Sequence, residues 1–482
     1  MNMLTTKRLL GTLLGLILIF QVGLAQEFFL GTKTNFEASS GTTKWKTSNG
    51  INSFNVEYRG KIEIEDDDKD IAAMSDGAYL EISKTVFGSK RAIVIESIGG
   101  GKFKKQYYEG RTMVNWEPQG RVWLAEILPE VVRSTTLCAE SRVNRFFKKG
   151  GTAAVLGEID KIESDYTKSY YANLLMKQPI QVKDYAPIIN KLAEDLDSDH
   201  YLTEFLKGNT SKFMQDKEAT SALFSATRKM DSDHYKTVVI KDALSGQTAS
   251  VENVKIILQA AGMMESDHYV TEVLTSLLKQ DNLNDAILSE IINTTKSIES
   301  DHYRTVVLTQ ALGKQGLSNA SYQRVIESIK DIDSDHYLTQ VIEHLMENKL
   351  SDDLLTLLLN MVTSIESDHY RTEVLQSLLK RQNLADAQFN KLVEACKLMD
   401  SDHYKTTVLQ QALSSGNLSD NKVISIINAT NQIDSDHYIT EVLTEAAPKV
   451  KSGSAQLKDA YRMAAKRIDS ETYYGRALRA IE

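Results

Sequence analysis

The chain has 482 residues, 42% hydrophobic and 25% charged, with a formal net charge of −9. Only 5 Pro and 25 Gly exclude a collagen-like or largely disordered chain, and the length admits more than one domain. An acidic chain without a basic block is not expected to bind nucleic acid, because that binding draws on many Lys and Arg contacts to phosphate.

Residues 1–25 read as a signal peptide. Lys7 and Arg8 form a basic start, Leu9 to Leu24 is apolar and uncharged, and Gly23-Leu24-Ala25 supplies small residues before Gln26. An uncleaved anchor is the alternative, but the run is short beside the roughly 20 residues of a spanning helix. No later segment is apolar enough to span a bilayer, so we expect a secreted or periplasmic protein with no membrane span after cleavage. Cys138 and Cys396 are the only cysteines. They imply no disulfide framework and read as small buried hydrophobes.

Residues 27–118 read as β-rich. Phe54 to Tyr58 and Lys61 to Glu65 alternate around Arg59-Gly60, which predicts a hairpin. Further runs lie at Ala78 to Ile82, Ala92 to Ile95 and Phe103 to Tyr108, giving an antiparallel meander or small sandwich. Gly99 to Gly101 is no phosphate loop, since no helix with Lys-Ser or Lys-Thr follows. Residues 119–160 read as a helical connector and cap. There Trp123, Leu124, Ile127, Leu128, Val131 and Val132 have helical spacing.

Residues 161–482 are a repeat. Its marker is an apolar residue, an acid, Ser, an acid, usually His, then Tyr. The Ser recurs at 164, 198, 232, 266, 300, 334, 367, 401, 435 and 470, a 34-residue period with one step of 33 and one of 35. Such a period means stacked supersecondary units. After Ser266, Tyr269, Val273, Leu274, Leu277 and Leu278 share one helical face. Gln280-Asp281-Asn282 breaks the pattern, and a second helix carries Ile287, Leu288, Ile291, Ile292 and Ile298. Each unit is a helix hairpin that buries its stripes by stacking. The marker Ser is expected to cap the first helix with its side chain, and the following acid to favour the helix dipole. Two flavours alternate. One has an apolar residue after Tyr, as at Leu202 and Val270; the other has a base, at Lys236, Arg304 and Lys405.

The fold class expected is α+β multidomain: a β-rich N-terminal domain, then an all-α right-handed-type αα-solenoid of about ten 34-residue repeats. The period and paired helical stripes resemble the HEAT-like and TPR-like helical-hairpin group, bacterial secreted type. The TPR pattern of Trp, Leu-Gly, Tyr, Ala, Phe and Pro is absent. The Ser-Asp-x-Tyr helix starts also resemble helical repeats appended to bacterial sensor-type metallopeptidases. No His-Glu-x-x-His is present, so that resemblance implies no peptidase chemistry here.

Eight of the nine His fall in the marker. His234, His268, His302 and His336 are the candidates for a metal ladder or a pH-sensitive stripe. Structural packing outweighs both, because the pattern is equal in every unit and adjacent repeats, about 10 Å apart, are too far for shared ligation. No nucleophile elbow, Walker loop or EF-hand loop appears. The function expected is a non-enzymatic protein- or peptide-binding scaffold, without cofactor. Lys236, Arg304 and Lys405 are the candidate partner contacts, with a plain solvated face as the alternative. An ion- or pH-responsive envelope protein and a hydrolase with its site in the β-rich domain are the other readings.

Overall fold

Alternation and helical periodicity sort the chain as expected into an N-terminal β-sheet region followed by 21 α-helices among the described residues. The computed structural model describes residues 25–29, 32–39, 41–246, 250–280, 283–416 and 418–482. The expected leader, save Ala25, and residues 281–282 of the expected helix break lie outside the described residues. The described residues form two compact units: those up to 184 with 194–201, and 185–193 with those from 202 onward.

The strands of the first unit are β1 (Ala25–Phe29), β2 (Thr32–Ser39), β3 (Thr42–Ser48), β4 (Ser53–Arg59), β5 (Ile62–Ile64), β6 (Ile71–Met74), β7 (Tyr79–Val86), β8 (Ser89–Ser97), β9 (Phe103–Glu109) and β10 (Thr112–Val114). Eight form one antiparallel meander, and β5 pairs only with β6. Trp45, Val56, Ile82, Ile93 and Tyr107 stand in register across the sheet, all buried. Helix Arg121–Ser134 supplies its predicted stripe to the same core, with Trp123 5.7 Å from Tyr107.

The hairpin expected from Phe54 to Glu65 does not form. β4 lies between β3 and β7, and β5 turns away to β6. Gly60 makes that turn at φ +73°, where an added Cβ would stand 2.8 Å from the Cβ of Ala78. Alternation defines which face is buried, not which strand is the partner.

A buried ionic cluster joins the β5–β6 loop to the helices of this unit. Arg142, fully buried, donates to Asp68 at 2.9 Å and to Glu158 at 2.6 Å, and also to the Tyr171 hydroxyl. Tyr171 donates onward to the Val132 carbonyl at 3.0 Å. Burial pushes the Asp68 carboxyl up, but the hydrogen bonds from Arg142 and Arg145 outweigh it and hold it below the ordinary range. Glu158 is held down in the same way, by Arg133 and Arg142 against burial.

In the second unit, a first helix starts directly after each marker Ser: Asp233–Gly246, Asp267–Leu278, Asp301–Leu312, Asp335–Leu345, Asp368–Arg381, Asp402–Ser414, Asp436–Ser452 and Glu471–Ile481. Second helices run between them, as at Val251–Ala261 and Asn319–Ser328. First helices pack on first helices and second on second. Val273, Leu274, Leu277, Leu278, Ile287, Leu288, Ile291, Ile292 and Ile298 are all buried, as their spacing predicts.

The capping expectation is corrected. Ser266, Ser300, Ser334, Ser367, Ser401, Ser435 and Ser470 occupy the N-cap position but make no side-chain capping bond. Ser164, in the first unit, does accept from Thr167 N at 3.4 Å. The side-chain caps of the second unit are on the second helices instead: Asp216, Ser250, Asn284, Ser318, Ser351, Ser419 and Ser454 each accept from a backbone N–H three residues on. From each such position, 385 included, to the next marker Ser the chain always counts 16 residues. The steps of 33 and 35 therefore arise between Ser334 and Ser351 and between Ser435 and Ser454, in the first-helix half.

Candidate functional site

The marker edge of the repeats is the candidate surface, and its residues divide by task. The acid after Ser is a latch between repeats. Asp267 accepts from the backbone N–H of Ser300 at 2.7 Å and of Glu299 at 3.2 Å. Asp402 does the same for Ser435 at 2.9 Å and Asp434 at 3.0 Å. The bond recurs from Asp233 to Ser266, Asp301 to Ser334, Asp335 to Ser367, Asp368 to Ser401 and Asp436 to Ser470. The Ser N–H is thus held by the preceding repeat. In the first unit Asp165 holds Ser198 N at 2.7 Å, while burial pushes its carboxyl above the ordinary range.

His and Tyr form a file of rings along this edge. His234 stands 5.3 Å from Tyr235 and 5.8 Å from Tyr269; His268 stands 5.1 Å from Tyr269 and 5.8 Å from Tyr303. The alternation continues through His302, His336, His369 and His403 to His437 and Tyr473. The His rings are exposed and the Tyr rings half-buried. A Tyr ring separates each His from the next. Among the described residues no three His, Cys, Asp or Glu side chains come together as a set able to hold a metal. Tyr269 and Tyr370 place their hydroxyls 3.4 Å from Nδ1 of His234 and His336. Gln340 lies 3.0 Å from Nε2 of His336.

The three candidate basic contacts are placed inside the repeat. Lys236, Arg304 and Lys405 are 7%, 6% and 8% exposed. Arg304 donates to the Ile298 carbonyl at 2.6 Å and to the Asp331 carbonyl of the next unit at 2.8 Å. Lys405 reaches the Gln432 carbonyl at 2.7 Å, and Lys236 pairs with Asp233 at 3.0 Å. The charge of Arg304 and Lys405 serves carbonyls at helix ends and that of Lys236 a carboxylate of its own helix, which leaves little of them for a partner. Arg371, in the hybrid repeat, also donates to the Ile365 carbonyl. The marker Thr side chains are buried, and six of them, Thr203, Thr237, Thr271, Thr305, Thr339 and Thr406, have no partner for the hydroxyl. Cys396 is buried and Cys138 half-buried. Burial pushes both thiols up to about 12, which keeps them in the unreactive form.

Sequence reasoning found the stripe of markers and missed the latch. The signal was present, since Asp or Glu follows Ser in all ten copies. The dipole argument accounted for that acid within its own helix and so concealed its bond to the next.

These features define a helical-repeat protein with an N-terminal β-sheet region. No protein-family profile and no curated protein matches the chain. Among solved structures it is similar to a Puf4 double mutant bound to the Cox17 RNA 3′ UTR recognition sequence, at 15% identity and TM-score 0.30, over 68% of this chain and 98% of that one. It is also similar to the Puf4 RNA-binding domain bound to the HO endonuclease RNA 3′ UTR recognition sequence, at 11% identity and TM-score 0.20, over 67% and 95% of the two chains. A computationally designed self-assembling cyclic homooligomer matches at 11% identity and TM-score 0.12, over 65% and 91%. These scores are too low to transfer a ligand. The exclusion of nucleic acid drawn from net charge is withdrawn; the two Puf4 chains named above are themselves RNA-bound. Single-stranded RNA is also read by stacking and base-edge hydrogen bonds, which whole-chain charge does not measure.

Proposed function

We propose that the protein is a non-enzymatic binding scaffold of the cell envelope or exterior, and that its repeats hold a protein or peptide segment. The observation that carries this reading is the split between constant and varied positions on one set of helices. Latch Asp, ring-file Tyr and buried Thr recur from repeat to repeat. The residue nine after the marker Ser does not: it is Lys207, Lys241, Thr275, Thr309, Glu343, Gln376 and Gln410 in turn. A uniform lattice with a varied surface is how repeat arrays present a specific partner.

Affinity capture from envelope extract with the full chain tests this, read by mass spectrometry with and without ribonuclease. A protein retained in both conditions supports the scaffold reading. Retention of RNA, or of proteins only through RNA, replaces the peptide with RNA. If nothing is retained, the scaffold reading falls.

A further inference from the structure

Two neighbouring turns of the first unit hold large apolar side chains out in water. In the turn between β3 and β4, Ile51 is 63% exposed; in the turn between β7 and β8, Phe87 is 80% exposed and Val86 39%. β4 pairs with β7, and Asn52 Oδ1 accepts from the Phe87 N–H at 3.1 Å. The β9–β10 turn stands beside them, its Gly110 N–H donating to the Lys90 carbonyl at 2.7 Å. Local chemistry does not ask for Phe87. Its φ is +47° and that of Gly88 is +81°, the two left-handed positions of a two-residue hairpin turn. Such a turn favours Asn-Gly, and a bulky side chain at positive φ is strained. Exposure of the ring to water is a second cost.

Positive charge flanks these turns. Over 48–53, 84–91 and 109–112 the cations are Lys84, Lys90, Arg91 and Arg111, and the carboxylate is Glu109. Glu130, from helix Arg121–Ser134, pairs with Lys84 at 2.7 Å. Tyr107 donates to Glu109 at 2.9 Å, and the Arg91 guanidinium lies 5.4 Å from the centre of the Trp123 ring. Four cations against two carboxylates leave this end of the sheet positive, in a chain of net charge −9. Lys90 and Arg111 are exposed and have no ion pair among the described residues.

Apolar side chains that project from adjacent turns, rather than line a hollow, suit a surface that yields to them. Unpaired cations beside them suit a surface that is negative. An anionic lipid bilayer has both properties. We propose that this end of the sheet docks on an anionic membrane, with Ile51 and Phe87 inserted at the headgroup–acyl boundary and Lys90 and Arg111 against lipid phosphates. The contact is independent of what the repeats hold.

The test is co-sedimentation with vesicles of phosphatidylcholine mixed with phosphatidylglycerol, and with vesicles of phosphatidylcholine alone. The chain from Gln26 onward is used, because the apolar run from Leu9 to Leu24 would bind vesicles by itself. Binding is expected on the mixed vesicles and should be weaker on the neutral ones, and salt should weaken it. Phe87→Asn suits the turn, so it should lower affinity about tenfold or more without lowering the melting temperature. Ile51→Ser repeats the test in the other turn and should also weaken binding. Lys90→Glu with Arg111→Glu should lower affinity about tenfold, on the mixed vesicles only. Ile98→Ser is the control: Ile98 is 61% exposed but lies just past the opposite end of β8, about 27 Å away, and its loss should change nothing. Equal binding to both kinds of vesicle, full affinity in both Phe87→Asn and Ile51→Ser, or an equal loss in Ile98→Ser overturns the proposal. Absence of binding to the mixed vesicles overturns it too, and leaves the apolar turns to a pocket on a partner protein.

Discussion

The two units solve cohesion differently. In the first, one guanidinium gathers Asp68, Glu158 and Tyr171, residues far apart in sequence, and no second copy of that cluster exists among the described residues. In the second, the same small latch is made again and again, each joining only neighbours. A unique cluster concentrates the effect of losing one side chain; a repeated latch distributes it.

Breaking the unique cluster should have the largest effect. Arg142→Ala leaves two carboxylates buried without their shared cation, and should cost the first unit about 3–5 kcal/mol. Thermal melting followed by tryptophan fluorescence reads it, since Trp45, Trp116 and Trp123 all belong to this unit. A loss below about 1 kcal/mol would remove the contrast. Acid should act on the same place. Asp68 and Glu158 are held below the ordinary carboxylate range, so their contribution is complete above about pH 5 and is lost as pH falls below about 4. A melting temperature of the first unit that stays constant from pH 6 to pH 3 contradicts this.

Breaking one latch should do less. Asp402→Ala frees the N–H groups of Asp434 and Ser435, at about 1–3 kcal/mol. Amide hydrogen exchange should quicken at those two residues and hardly at Ser300, several repeats away. Uniform quickening would mean that the array does not divide its stability by neighbours. The capping correction gives the finest distinction. Ser318→Ala removes a true cap and should cost about 1 kcal/mol. Ser300→Ala removes a hydroxyl that caps nothing and should stay within about 0.5 kcal/mol. Equal losses in urea titration would restore the marker hydroxyl as a cap.

Much of the second unit was legible because its information is local. Val273, Leu274, Leu277 and Leu278 announce their burial by spacing, and the period announces the stacking. What was missed is contact between places that spacing does not link. The Arg142–Asp68 pair spans 74 residues, and β5 finds β6 rather than β4. Lys236, Arg304 and Lys405 were read as surface because they are charged. Their burial depends on carbonyls at helix ends, some of them in the next unit, which no pattern within one unit reveals.

The constant count from the second-helix cap to the next marker sets the phase of the array. A residue lost between Ser334 and Ser351, and another gained between Ser435 and Ser454, leave the following latches in place, at Asp335 to Ser367 and Asp436 to Ser470. Length errors are absorbed on one side of each hairpin before they reach the joint. The half of each repeat from the marker Ser to the second-helix cap is therefore where added residues should be tolerated without throwing the downstream repeats out of step, and the 16-residue stretch is where a single insertion should stall assembly.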